Sequence, residues 1–126
     1  MSLSKKKLVQ AFYNADFVED AEFIQKSLHP EVELNWYSTT GFRKMNKESL
    51  LTYFREMSES YASLRTEIKN LVKEHHQVAL NFTFFAETVE NPDEEFPLGH
   101  FMAIWEIKDG QLYKGTQISQ VPQDLQ

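Results

Sequence analysis

The sequence predicts an α+β fold, helices first and an antiparallel sheet after, and three observations carry that prediction. Apolar residues recur every three to four positions from Leu8 to Leu28, which is helical spacing. From Val32 onward the period changes to two. Near the far end the dipeptide Asp109-Gly110 stands between two alternating runs, the strongest short hairpin signal in the chain.

Leu8, Val9, Phe12 and Tyr13 follow a basic first turn, so Ser4 to about Ala15 reads as a helix. A break at Asn14-Ala15-Asp16 follows. Asp20 is placed to cap a second, short helix carrying Ala21, Phe23, Ile24 and Leu28, stopped at His29-Pro30 because proline cannot continue a helix. Val32, Leu34 and Trp36 then alternate with Glu33, Asn35 and Tyr37, the pattern of a half-buried strand. Ser38 to Gly41 is turn chemistry, and Asn46 is a fitting N-cap for a longer helix bearing Leu50, Leu51, Phe54, Met57 and Tyr61. From there strand follows strand: Leu64 to Val72, a run in which Val78, Leu80, Phe82 and Phe84 alternate with Ala79, Asn81, Thr83 and Phe85, then Leu98 to Ile107, and Gln111 to Gln120. An acidic loop at Asn91-Pro92-Asp93-Glu94-Glu95 separates the second and third of these. No repeat, linker or low-complexity tract interrupts the order, so residues 1–126 read as one domain.

Composition narrows the function classes. A net charge of −6 argues against a nucleic-acid binder, which needs a basic face to neutralise phosphates. No apolar run approaches the roughly 18 residues of a membrane-spanning helix, and the apolar stretch after Lys5-Lys6-Lys7 is too interrupted for a secretory leader. With no cysteine there is no thiolate metal site, and a cytoplasmic protein is expected. The informative excess is aromatic: ten Phe, five Tyr and two Trp. Rings on this scale either fill a core or line a pocket.

The order of elements, together with several local phrases, resembles the nuclear transport factor 2-like superfamily, and within it the SnoaL-like and ketosteroid-isomerase-like group. The phrases are Phe12-Tyr13-Asn14-Ala15-Asp16, Leu28-His29-Pro30-Glu31-Val32-Glu33, Gly41 ahead of a helix with Leu50-Leu51-Thr52-Tyr53-Phe54, and Trp105-Glu106-Ile107-Lys108-Asp109-Gly110-Gln111-Leu112. The resemblance implies a cone, or cystatin-like roll: a curved antiparallel sheet wrapped over the N-terminal helices, with an apolar pocket opening between helices and concave face. Members include isomerases, cyclases, hydrolases and non-catalytic binding or dimerisation domains, so the fold does not settle the activity.

The enzymes of this group move protons with pocket carboxylates whose pKa is raised by burial. Carried over by resemblance, the first-strand base falls at Asn35 and the last-strand acid or base at Gln117, both amides that do not titrate near neutrality. A shifted alignment puts Glu33 in the first place instead. The isomerase oxyanion donors fall near Val9 and Ala103, which carry no donor. Glu87, at a strand end, and His100, at a strand start, are the remaining candidates for proton chemistry, each with a plain surface or interface role as its alternative. His75-His76 lies at an expected turn and lacks metal-ligand spacing; no metal and no cofactor is expected. His29, at a helix stop, reads as structural.

The expected pocket lining is Asn35, Trp36, Tyr53, Phe54, Asn81, Phe85, Phe101, Trp105 and Gln117, suited to a small apolar or aromatic molecule. The alternative is that these rings close the cone and leave no cavity. His100, Met102, Ile104 and Glu106 should share the outer face of their strand, unusually apolar for a surface, which points to a homodimer. Three readings follow: a ligand-binding protein, a non-catalytic homodimeric module, or an isomerase, cyclase or hydrolase acting on a cyclic apolar substrate.

Overall fold

The chain runs α1 (Lys5–Asn14), α2 (Ala21–Ser27), β1 (Leu28–Ser38), β2 (Gly41–Met45), α3 (Lys47–Ser60), β3 (Ser63–Glu74), β4 (Gln77–Glu87), β5 (Phe96–Lys108) and β6 (Gln111–Gln120). The structure is a computed structural model that describes residues 3–122, so the outermost residues of the 1–126 unit lie outside it. Local chemistry sets the helix starts. The Ser4 hydroxyl accepts from the Lys7 amide at 3.2 Å, and Asn46 and Ser49 form a reciprocal capping box ahead of α3.

The six strands form one curved, unclosed sheet in the order β2-β1-β6-β5-β4-β3. After β1 and β2 the chain crosses by α3 to the far edge and meanders back, so β6 arrives beside β1 running the same way. That one ladder is parallel and the rest are antiparallel. The sheet is therefore mixed, within the α+β class the sequence predicts. β2 was not expected from the sequence: four of its five residues are exposed, which leaves no alternation to read. β1 begins earlier than its alternation suggests, and Pro30 sits where the β1–β6 ladder breaks between Leu28 and Glu33, a place that needs no N–H. Asp109 and Gly110 both take positive φ, 55° and 72°, the backbone of the predicted two-residue hairpin.

The helices lie on one face of the sheet, α1 over β3 and β4 and α3 over β1 and β2. Strand alternation sorts side chains between this inner face and an uncovered outer one. Val32, Leu34 and Trp36 face inward from β1, Phe82 and Phe84 from β4, Phe101 and Trp105 from β5.

The narrow end of the cone is filled with rings. Trp105 is buried, donates its indole N–H to the Tyr13 hydroxyl at 2.7 Å, and lies so close over Gly115 that a Cβ there would meet its ring at 2.7 Å. Only glycine fits beneath it. Tyr13 packs on Phe82, with ring centroids 4.6 Å apart, and Phe82 stacks on Phe101 at 4.9 Å with their planes 4° apart. Trp36 and Tyr53 continue the aromatic chain toward the open end.

Candidate functional site

Two spaces lie along this chain of rings. The inner one, bordered by Tyr13, Trp36, Tyr53, Phe54, Trp105 and Gln117, has a volume of about 20 Å³, room for one water and nothing larger. The outer one is a cleft of about 430 Å³ at the mouth of the cone, between the β1–β2 hairpin, the last turns of α3, the start of β5 and the end of β6. Trp36, Tyr53 and Phe84 border both, so they form the floor of the cleft and the roof of the void. The expected closed pocket is thus almost wholly occupied by side chains, and the larger of these two spaces is the open cleft above it.

The cleft has aromatic walls with a polar rim. Trp36, Phe101, Tyr53 and Tyr61 supply the rings, and Arg43, Glu56 and Ser119 stand among them. Arg43 is the cross-strand partner of Trp36, and its guanidinium carbon lies 5.0 Å over the indole. The Trp36 indole N–H donates to Ser119 Oγ at 2.7 Å, which fixes the ring plane. Burial raises the Tyr53 phenol to about 12, partly opposed by the nearby Arg43 charge, so Tyr53 is a neutral donor across the physiological range.

Of the residues singled out from sequence, Trp36, Tyr53, Phe54, Phe101, Trp105 and Gln117 lie together inside the cone. Three others do not join them. Asn35 faces the outer side of β1, beside Glu33, Thr116 and Lys114, because neighbours on a strand point to opposite faces and Trp36 takes the inner one. Glu33 shares that outer face, with Lys114 at 3.4 Å and Lys44 at 3.7 Å, so the shifted alignment does not bring a carboxylate inside. Asn81 donates to Asn70 across β3–β4 at 3.1 Å, again on the outer face. Phe85 also turns outward, beneath the Arg65 guanidinium at 4.5 Å, while its neighbour Phe84 turns in. Of the two other candidates for proton chemistry, Glu87 accepts from the Ser63 hydroxyl at a sheet margin, and His100 is exposed on the outer face, its Nδ1 2.9 Å from Thr83 Oγ1. Neither borders the cleft.

Sequence reasoning missed Arg43, Glu56 and Ser119. Ser119 was within reach, since it follows Gln117 by two positions and so shares its face. Arg43 stands on the strand that carries no alternation signal. Glu56 is one of several acidic residues on α3 that nothing local distinguishes.

A curved sheet over N-terminal helices, closed by rings at one end and open at the other, defines the cone of the nuclear transport factor 2-like superfamily. Residues 9–114 match the SnoaL-like domain model, and the chain belongs to that family. Similar solved structures include the candidate polyketide cyclase IdmH of Streptomyces antibioticus, with 15% identity, a TM-score of 0.76, and 93% of this chain and 92% of that one covered. The candidate hydroxylase AclR of Streptomyces galilaeus has 18% identity and a TM-score of 0.74, over 96% of this chain and 81% of that one. An epoxide hydrolase of M. tuberculosis, of the LEH-like type, has 17% identity and a TM-score of 0.70, over 91% and 81%. These similarities establish the fold. No curated protein matches the sequence.

Proposed function

We propose that this chain is a SnoaL-like binding protein for a small ring-bearing molecule, which enters the cleft at the mouth of the cone and stacks on Trp36, Phe101 and Tyr53. The observation that carries this reading is the cleft itself: about 430 Å³ of open space with an aromatic floor held in place by the Trp36–Ser119 hydrogen bond. Ligands that bind only the folded state raise its melting temperature. A thermal-shift series of naphthalene-sized neutral compounds should therefore stabilise the protein, and Phe101→Ala should abolish the shift. No shift with any of them would remove the reading.

Binding is favoured over isomerase, cyclase or hydrolase chemistry on a cyclic apolar substrate by the makeup of the cleft. Among the described residues that line it, Glu56 is the single carboxylate and there is no histidine. Gln117, on the strand where the enzymes place an acid, is a buried amide below the cleft floor. A catalytic role would have to run through Glu56 or the phenols, and Glu56→Gln would expose it by abolishing turnover.

A homodimer is the second reading, and it can coexist with the first. Phe42, Tyr37, Ile118 and Met102 are successive cross-strand partners on the uncovered outer face, each half exposed or more, with Ile104 beside them. Sedimentation should give twice the monomer mass, and Met102→Lys with Ile118→Lys should return it to one.

A further inference from the structure

We infer that the mouth cleft selects a flat aromatic ligand carrying a carboxylate or an equally acidic oxygen, with Arg43, Ser119 and Tyr53 as its donors. The inference rests on the cleft being the ligand site and adds the charge of what it takes. It follows from an account of the donors around the cleft. The Arg43 guanidinium lies over Trp36 and makes no ion pair or hydrogen bond with any described residue. Ser119 spends its oxygen as an acceptor for the Trp36 indole, and its own proton has no acceptor among the described residues. The Tyr53 hydroxyl likewise has no hydrogen-bond partner among them. Three donor-bearing residues, one of them a permanent cation, therefore border one ring-lined space with no protein acceptor for these donors among the described residues.

The chemistry that satisfies such a set is an acceptor-only group with negative charge, attached to a ring that can lie against Trp36. A guanidinium is suited to it, because its planar fork meets two carboxylate oxygens at once and its face already stacks on the indole. The opposing group is Glu56, which lines the same cleft but does not reach Arg43 within ion-pair distance. Its charge would repel an anionic ligand without neutralising the arginine, so removing it should strengthen anion binding. That sign is opposite to the one expected if Glu56 were the recognition group for a cationic ligand.

The test is calorimetric titration with 2-naphthoate and its neutral isostere 2-naphthamide, on the full chain. 2-Naphthoate should bind about tenfold more tightly, the size expected for a hydrogen bond to a charged partner. Arg43→Met should cost 2-naphthoate far more affinity than 2-naphthamide, so that the preference between the two compounds disappears. Glu56→Gln should tighten 2-naphthoate alone. Arg43→Lys, which keeps the charge on a different geometry, guards against a folding defect, and should keep part of the preference. Equal affinities in the unaltered protein would overturn the inference while leaving the cleft as a ligand site. A preference that survives Arg43→Met would overturn the assignment of the donors. Failure of both compounds to bind would remove the underlying reading as well.

Discussion

Tyr13 and Tyr53 are the same side chain in two different interiors. Tyr13, on α1, is enclosed at the narrow end; burial drives its phenol well above its ordinary range, and its oxygen accepts the Trp105 indole N–H. Tyr53, on α3, borders both the void and the cleft, and its hydroxyl meets no partner among the described residues. At the narrow end the Tyr13 oxygen and the Trp105 N–H are joined in one buried hydrogen bond. At the mouth, donors are left open beside accessible space, where water or a ligand completes them. One end of the cone closes and holds the fold; the other end stays available.

If that division is right, the largest stability losses belong to the narrow end. Trp105→Ala would remove the ring that covers Gly115 and orphan the Tyr13 hydroxyl, and should cost about 3–5 kcal/mol in urea unfolding. A loss well under that range would mean the end is loosely packed and the distinction fails. Tyr13→Phe keeps the ring and removes only the acceptor, leaving the buried Trp105 N–H unpaired. It should cost about 1–3 kcal/mol, whereas Tyr53→Phe, with no bond to break, should be nearly neutral by the same measurement.

The two phenols also predict an alkaline limit. A tyrosine whose folded pKa exceeds its unfolded value of 10.0 holds its proton more tightly when folded, so the stability it contributes is complete below about pH 10. For Tyr53 that contribution is lost as the pH rises toward about 12, and Tyr13 shifts in the same direction. Unfolding midpoints should fall across that window, and Tyr53→Phe should flatten the fall. A midpoint that does not change through it would mean that Tyr53 is solvated in the folded protein.

The fold was legible because it is written in periodicities. Helical spacing, the change at Val32 and the Asp109-Gly110 turn each act over a few residues, and the structure uses all three. On the strands the site was legible only where parity decides. Trp36, Phe101, Trp105 and Gln117 share a face with alternating apolar neighbours, while Asn35 and Phe85 each sit next to a ring that claims that face, Trp36 and Phe84. A strand cannot send both of a neighbouring pair inward. Arg43 was not legible at all: its role comes from lying opposite Trp36 across a pairing that no local pattern announces.

The smallest expected effect tests that parity rule most directly. Asn35 is on the outer face of β1, one residue from Trp36, yet the sheet lies between it and the cleft. Asn35→Ala should shift stability by no more than about 0.5 kcal/mol, as ordinary surface substitutions do, and should leave the affinity for 2-naphthamide unchanged. Gln117→Ala, from the inner face, differs because it removes a buried side chain from beneath the cleft floor and lets Trp36 and Tyr53 settle, so it should weaken that affinity. Equal responses from the two amides would mean that the sheet does not separate inside from outside in the way its burial pattern requires.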